Sequence, residues 1–156
     1  MDKQVQTVAS NKKARFAYHL GESFEAGLVL KGSEVKSIRQ GRVDLKDSYV
    51  RIENGEAFLV GAHIHAYPYA HQFNHEPGRD RKLLLHKRQI MRLYGQVREK
   101  GVTLVPLRLY FKQGRVKLEF AVARGKKVRD RREDMKARDA ARDISHALRE
   151  RSRGRA

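Results

Sequence analysis

The sequence TLVPLRLYFKQGRVKLEFAVA, residues 103–123, contains two runs of alternating apolar and polar residues around a Lys-Gln-Gly turn. Alternation with a period of two is typical of a strand that buries one face, and a short turn containing glycine is typical of a hairpin. The inward face of the second strand is expected to consist of Val116, Leu118, Phe120 and Val122. Pro106 has no backbone N–H to donate, so it indicates a sheet edge or a bulge in the first strand.

The residues before this hairpin predict further strands and two helices. Alternating apolar residues from Phe24 to Leu30 predict a strand. Asn54-Gly55 predicts a hairpin between strands at about 47–53 and 56–65. The second of these strands is expected to place four apolar residues on one face: Phe58, Val60, Ala62 and Ile64. Ser33 is placed to cap a short helix that ends near Gly41. A second helix is predicted over 86–100. Residues 66–81, between the strand at 56–65 and this helix, are expected to form a long loop.

Five or more short antiparallel strands with helices between them predict a mainly β fold with some α. The specific expectation is an OB-like antiparallel β-barrel with short flanking helices and a basic C-terminal tail. Residues 1–10 are expected to be a flexible N-terminus, residues 11–123 the OB-like barrel, and residues 124–156 the tail.

Charge indicates the class of partner. The chain of 156 residues has 35 Lys and Arg against 18 Asp and Glu, a net charge of +17. Such an excess is typical of nucleic-acid binding, with an anionic membrane surface as the main alternative. The tail has few large apolar side chains, so we expect it to be disordered when free. A narrow apolar stripe, which includes Ala140 and Ile144, would allow it to become helical on RNA.

The sequence indicates neither catalysis nor a bound cofactor. It has no cysteine, no phosphate-binding loop and no familiar hydrolase motif. Four histidines lie close together, but without a supporting carboxylate set they are more simply exposed or RNA-contacting than metal ligands; they are His63, His65, His71 and His75. Acidic residues around the Asn54-Gly55 hairpin, including Asp44 and Asp47, are expected to face solvent. We therefore expect no catalytic residue, metal or cofactor. The absence of a leader or membrane-spanning run leads us to expect a cytoplasmic protein.

Two groups of residues are candidates for RNA contact from their chemistry alone. Residues 79–92 are strongly basic and include Leu83-Leu84-Leu85, which would fit both an ordinary helix start and a phosphate-facing ridge anchored by leucines. Aromatic residues could stack on unpaired bases; the candidates are Tyr18, Tyr67, Tyr69, Phe73 and Tyr94. Tyr18, beside basic residues, is the best of these, whereas Tyr94 is expected to pack in the core.

Six segments in order resemble the family of SsrA-binding proteins, SmpB. They are Asn11-Lys12-Lys13-Ala14-Arg15, Phe24-Glu25-Ala26-Gly27, Gly32-Ser33-Glu34-Val35-Lys36-Ser37, Lys46-Asp47-Ser48-Tyr49, Arg81-Lys82-Leu83-Leu84-Leu85 and Ala123-Arg124-Gly125-Lys126-Lys127. The resemblance implies a barrel that binds the tRNA-like domain of transfer-messenger RNA at its elbow. The RNA-binding residues would be Asn11, Lys12, Lys13, Arg15, Tyr18, Glu25, Lys82, Leu84, Lys126 and Lys127. Glu25 could accept hydrogen bonds from base amino groups or a 2′-hydroxyl.

The resemblance also implies a role in trans-translation and ribosome rescue. The protein would deliver transfer-messenger RNA to the empty A site of a stalled 70S ribosome, where the tail would contact small-subunit rRNA and reach along the vacant mRNA channel as a helix. The tail residues at the decoding centre would be Gly125, Arg129, Asp130, Arg131 and Arg132. Elongation factor Tu and alanyl-tRNA synthetase would be indirect partners through the RNA, and no membrane would be involved.

Two positions depart from the family's pattern. Arg129 stands where the family usually has His or an aromatic residue that stacks on an rRNA base, and Ala140 replaces a common Trp. A guanidinium plane can also stack, so Arg129 is expected to keep the role. The residues alone leave two other functions open. One is a ribosomal protein with a basic extension threaded into rRNA, and the other is a metal-dependent RNA-processing enzyme.

Overall fold

The computed structural model describes residues 5–126 together with 132, 135–138, 140–142 and 144. The strands are β1 Val5–Ser10, β2 Tyr18–Leu28, β3 Val43–Asp44, β4 Tyr49–Glu53, β5 Glu56–Val60, β6 His63–Ile64, β7 Arg81–Leu84, β8 Val102–Lys112 and β9 Arg115–Gly125. The helices are α1 Lys12–Ala17, α2 Gly32–Arg39 and α3 Lys87–Val97, and a single 3₁₀ turn spans His71–Phe73.

Seven of these strands form one antiparallel sheet in the order β1-β8-β9-β2-β7-β5-β4, and β3 pairs with β6 separately. In a flat sheet, β8 and β4 would lie five strand spacings apart, about 24 Å. They are instead in contact, so the sheet curls around its core. Among the described strands β1 and β4 are not hydrogen bonded to each other, and the barrel is therefore partly open. The predicted mainly β fold with short helices is confirmed.

The hairpin of β8 and β9 is confirmed, and its strands are longer than expected. Leu118 and Phe120 are fully buried, whereas Lys117 and Glu119 between them are partly exposed, as the alternation predicts. The register shifts between Pro106 and Arg108, which confirms the predicted bulge. β9 continues to Gly125, which pairs with Tyr18 of β2. The expected boundary between barrel and tail at 123/124 is therefore wrong by two residues, because Arg124 and Gly125 complete the strand.

The expected flexible N-terminus over residues 1–10 also needs correction. Residues 5–10 form β1, which pairs antiparallel with β8 at the edge of the sheet. Val8 and Ala9 pack against the main core. Hydrogen bonds to β8 and the packing of these two side chains hold residues 5–10 against the sheet.

The predicted strand over 56–65 is interrupted at Gly61, whose backbone has a φ of +82°. A Cβ there would lie 3.1 Å from the carbonyl oxygen of Asp47, so the turn both requires the left-handed conformation and leaves no room for a side chain. The turn changes which side chains face the core: Ala57 and Leu59 point inward before it, and Ala62 and Ile64 after it. The expected shared face containing Phe58 and Val60 is therefore wrong.

Helices α2 and α3 both pack against the core, and each differs from its prediction in one respect. α3 buries Ile90 and Leu93, but Tyr94 is 52% exposed beneath the guanidinium of Arg98, so its predicted core packing is wrong. α2 begins one residue before Ser33 and is capped at Lys31, whose backbone N–H donates to the Glu34 carboxylate at 2.9 Å. The structure thus uses a capping box formed by Glu34, and Ser33 is buried.

The chain divides into two units, residues 1–125 and 126–156. In the second unit, the described residues from Arg132 onward have helical backbone and exposed side chains. The disorder of the free tail stays a prediction. No helix in the described part of the chain is long and apolar enough to cross a membrane.

Candidate nucleic-acid interface

One face of the large sheet, which we call the outer face, points away from the main core. It is formed by Glu25, Lys82, Leu84, Arg108, Tyr110, Lys112, Lys117 and Glu119. Cross-strand pairing brings together residues distant in sequence, because Glu25 lies opposite Glu119 and Tyr110 lies opposite Lys117. Four strands therefore contribute basic and acidic side chains to one surface, and the Tyr110 ring lies buried among them.

Glu25 is held in place by a donor from a neighbouring strand. The hydroxyl of Tyr110 donates a short hydrogen bond to the Glu25 carboxylate, and the Lys112 ammonium lies 3.3 Å from both carboxylate oxygens. This hydroxyl is the main reason why the pKa of Glu25 is below its ordinary value; partial burial opposes the effect, and Lys112 and Lys117 reinforce it. Burial and the bond to Glu25 raise the pKa of Tyr110. The result is a partly exposed, ionised carboxylate with a fixed orientation.

Leu84 lies beside this carboxylate on the same face. It is 55% exposed and pairs directly with Gly27, which places its side chain over bare backbone. A Cβ at Gly27 would lie 3.5 Å from the Leu84 Cδ1 and 3.6 Å from the Lys117 Nζ. Lys82, two residues earlier on β7, is also exposed and lies 3.6 Å from Glu56. An exposed leucine flanked by cations is a contact point that combines apolar and phosphate-binding chemistry.

Helix α1 covers the other end of the outer face. Ala14 is buried with Val105 and Ala123 in a small second cluster, against which the half-buried Tyr18 packs. The Asn11 side-chain amide donates to the Pro106 carbonyl at 3.0 Å, and its backbone N–H donates to Leu107 at 2.8 Å. Asn11 therefore fastens the start of α1 to the bulge of β8.

The remaining predicted residues of α1 are arranged around this anchor. Lys12, Lys13 and Arg15 are exposed on the helix. Together with Glu25, Lys82 and Leu84 they lie on one side of the sheet, so the structure brings the body residues of the predicted RNA surface together. Tyr18 is less available for stacking than expected, because its half-buried side chain packs against the second cluster.

The predicted residues at the start of the tail are divided by the end of β9. Gly125 is the last residue of that strand, and Lys126 follows it, half-buried. A Cβ at Gly125 would meet no described atom within 4 Å, so packing in the described part of the chain does not require glycine there. Arg132 is exposed with helical backbone, whereas Lys127, Arg129, Asp130 and Arg131 lie outside the described residues.

The predicted phosphate ridge over 79–92 needs correction at Arg81. Its side chain is fully buried and its Nε donates to the Glu34 carboxylate at 2.6 Å. It also donates to the carbonyls of Ala62 at 2.9 Å and Pro77 at 3.0 Å. Arg79 contacts the other oxygen of Glu34 at 2.5 Å. Both arginines therefore connect β7 and its preceding loop to α2, and only the alternate residues of the strand face outward.

Opposed effects set the pKa of this buried carboxylate. Burial would raise the pKa of Glu34, but hydrogen bonds from Arg79, the Lys31 N–H and Arg81 outweigh it, so the pKa of Glu34 is lowered. Burial lowers the pKa of Arg81, and its bond to Glu34 works against that shift. The pair stays ionised because each partner's hydrogen-bonding capacity is used.

The histidines do not share one environment. His63 and His65 are exposed, with ring centroids 4.6 Å apart, as expected for alternate residues on one face. His75 is only 4% exposed; one ring nitrogen lies 2.8 Å from the Ser33 hydroxyl and the other 2.9 Å from the Ile64 carbonyl. The expectation that His75 is exposed or contacts RNA is therefore wrong. Within the described residues, no three His, Asp or Glu side chains are grouped to hold a metal ion.

Sequence reasoning missed several residues of the outer face. Arg108 lies over the Tyr110 ring at 4.4 Å and within 3.4 Å of Glu119. Tyr110 and Lys117 meet Glu25 only through strand pairing. The alternation of β8 and β9 identifies all of them as outward-facing, but their meeting with Glu25 depends on the register between strands 85 residues apart.

The family model described as SmpB protein matches residues 8–150 of this chain. The chain belongs to the SmpB family. A relative from Carboxydothermus hydrogenoformans, called SsrA-binding protein, is 60% identical over 144 residues, which cover 92% of this chain and 97% of the relative. SsrA-binding proteins from Pelotomaculum thermopropionicum and Symbiobacterium thermophilum are 54% and 58% identical, covering 96% and 94% of this chain and 97% and 93% of their own lengths.

A solved SmpB-related structure has a similar fold. It is described as "tmRNA-SmpB: a journey to the center of the bacterial ribosome" and is 47% identical to this chain, with a TM-score of 0.66. The similarity covers 77% of this chain and 85% of the solved one. The SmpB resemblance inferred from the six sequence segments is thereby confirmed.

Proposed function

We propose that this chain binds the tRNA-like part of transfer-messenger RNA and delivers it to stalled bacterial ribosomes for trans-translation. Membership of the SmpB family supports the proposal, as do relatives named SsrA-binding proteins and a similar chain described in connection with the bacterial ribosome. In this role the protein catalyses no reaction; it recognises one RNA and positions it on another.

One structural observation carries the assignment of the RNA-binding surface. Residues from α1, β2 and β7, separated by tens of positions in sequence, lie on one side of the sheet with the basic residues of β8 and β9. Cations on this side suit phosphates, whose contacts supply affinity and register. The Leu84 side chain would pack against an unpaired base or ribose.

Glu25 gives the surface selectivity beyond charge. The Glu25 carboxylate repels phosphate, so a bound RNA must place a hydrogen-bond donor beside it. A base amino group or a 2′-hydroxyl is such a donor. The Tyr110 hydroxyl and Lys112 ammonium hold the carboxylate before RNA arrives. Preorganisation of this kind reduces the ordering needed on binding.

The tail is proposed to act at the decoding centre. Gly125, at the end of β9, would let rRNA approach closely, and the basic residues after it would contact rRNA in the empty mRNA channel; these are Arg129, Arg131 and Arg132, with Asp130 among them. Elongation factor Tu and alanyl-tRNA synthetase would join through the RNA. Gly125→Ala should fold normally and reduce peptide tagging on stalled ribosomes.

A binding assay with the isolated tRNA-like RNA tests the proposal for the outer face. Leu84→Ala should weaken binding about tenfold, the value expected for losing part of a buried leucine contact. Met91→Ala is a matched control, because Met91 is also exposed, at 74%, but lies on α3. Wild-type affinity should fall about a thousandfold between 50 and 200 mM salt if about six phosphates are contacted. Equal effects of both substitutions, or a flat salt profile, would contradict the proposed surface.

A further inference from the structure

The loop between β6 and β7, residues 65–80, carries unusually exposed aromatic side chains. We call it the aromatic loop. Phe73 is 79% and Tyr69 75% exposed, the highest values among the described large hydrophobic residues. Neither ring takes part in the outer face. Exposed aromatic rings grouped on one loop make that loop a candidate site of interaction.

The aromatic loop is ordered by side-chain hydrogen bonds at several points. The Asn74 amide donates to the Tyr67 carbonyl at 2.7 Å and accepts from the Tyr67 N–H at 3.0 Å. His75 is buried between Ser33 and Ile64, and Arg81 binds the Pro77 carbonyl. His71, between the two exposed rings, has a left-handed backbone with a φ of +49°. The fold therefore presents Tyr69 and Phe73 on a fixed frame.

The composition of the loop indicates the chemistry of its partner. Residues 65–80 contain no Leu, Ile, Val or Met, so the exposed apolar surface is aromatic rather than aliphatic. The Tyr67 and Tyr69 rings are 5.4 Å apart in an edge contact, and the Lys36 ammonium lies 5.5 Å from the Tyr67 centroid. Aromatic rings beside a cation form a typical platform for nucleic-acid bases.

The aromatic loop lies on the opposite side of β7 from the outer face. Side chains of a strand alternate, and Arg81, which holds the loop and α2, points away from the side to which Lys82 and Leu84 point. An RNA bound across the outer face would therefore leave the aromatic loop uncovered.

We propose that Tyr69 and Phe73 form a second RNA site, which stacks on unpaired bases of ribosomal RNA while the outer face holds the tRNA-like RNA. The inference rests on the proposed function, because it assigns a different RNA to each side of one molecule. The two hydrogen bonds between Asn74 and the Tyr67 backbone close the loop that carries both rings.

Two affinities of the full chain test this inference. Tyr69→Ala/Phe73→Ala should weaken binding to small ribosomal subunits about tenfold to a hundredfold for each stacked base, and binding to the isolated tRNA-like RNA should stay within about twofold of wild type. Tyr69→Phe/Phe73→Tyr keeps both rings and should restore subunit binding. Tyr94→Ala, which removes a 52% exposed ring from α3, is the control for loss of any surface aromatic.

A photo-crosslinking amino acid at position 73 identifies what the loop contacts. An adduct with ribosomal RNA is expected; an adduct with a ribosomal protein, or none, would overturn the inference. Unchanged subunit binding of the double alanine variant would also overturn it, as would an equal loss of affinity for both RNAs. If the wild-type chain itself bound neither RNA, the proposed function would be wrong. That result differs from the outcomes that overturn only the second site, in which the wild-type chain still binds the tRNA-like RNA.

Discussion

Two adjacent residues on β7 test whether the fold separates charges that stabilise the structure from charges that we propose to contact RNA. Arg81 is fully buried against Glu34, whereas Lys82 is exposed on the outer face. Arg81→Met should therefore destabilise the protein and spare RNA contacts, and Lys82→Met should do the reverse. The two substitutions remove one positive charge each, so a difference between them cannot arise from net charge.

The magnitude of each effect follows from the interactions that the substituted side chain makes. Removing one partner of a buried ion pair costs about 3–5 kcal/mol, and the lower end applies here because Arg79 still contacts Glu34. A loss of about 3 kcal/mol is a large part of the total of about 5–15 kcal/mol and should lower Tm by about 10 °C. Lys82→Met removes an exposed ion pair with Glu56, worth about 0–1 kcal/mol.

Thermal unfolding by circular dichroism and RNA binding at several salt concentrations check both halves. Lys82→Met should reduce the slope of log affinity against log salt by about 1, and Arg81→Met, measured well below its Tm, should leave that slope unchanged. If Arg81→Met kept wild-type stability within about 0.5 kcal/mol and reduced the salt slope, Arg81 would be a phosphate contact. The structural assignment of its side chain would then be refuted.

Three further outcomes follow from other contacts. Because the pKa of Glu34 is lowered in the folded protein, its ionised carboxylate stabilises the fold at pH values above its ordinary pKa of 4.5, and this stabilisation is lost as pH falls through the folded pKa. Glu34→Gln should therefore flatten the acid side of a plot of stability against pH, and an unchanged plot would contradict the pairing. Tyr110→Phe should raise the pKa of Glu25 toward its ordinary value, which NMR titration of that carboxyl would detect, and an unmoved titration would exclude the hydroxyl as the main cause. Truncation after Lys127, which keeps β9 and the predicted RNA-binding residues Lys126 and Lys127, should preserve affinity for the tRNA-like RNA and abolish peptide tagging; a large loss of RNA affinity would show that the rest of the tail belongs to the same interface.

Local pattern was sufficient for the β8–β9 hairpin and insufficient at Gly61. The hairpin follows from period-two alternation and a turn, and the Pro106 bulge follows from a missing donor; both are properties of neighbouring residues. Between Glu56 and Ile64 a similar alternation is reset by a single left-handed glycine. Since a shift of one residue exchanges the two faces of a strand, one backbone angle divides the predicted shared face into two pairs, Phe58 with Val60 and Ala62 with Ile64.

Most residues of the proposed RNA-binding surface were named by the family resemblance, and chemistry alone indicated only the basic segment 79–92 and Tyr18. Charge alone does not explain Glu25 in a basic surface; the resemblance implies that it contacts RNA, and this stays a prediction. Its donor Tyr110 was not identified, because their meeting depends on the order and register of β2, β9 and β8. The side chains of Asn11 and His75 likewise find their partners through tertiary contacts that no local period encodes.

Net charge overstates how much of this chain faces RNA, and β7 explains why. Glu34 takes up the charges of Arg79 and Arg81, and further arginines contact carboxylates on the surface, such as Arg92 with Glu22 at 2.8 Å. Basic residues therefore serve two purposes that composition counts as one. A four-residue strand separates them because its period is two: the buried arginine fixes α2 and the aromatic loop on one side, and Lys82 with Leu84 completes the outer face on the other. A protein that holds one RNA and meets a second, as we propose for this chain, needs two rigidly related surfaces, and a short central strand whose two faces belong to different surfaces is sufficient to couple them.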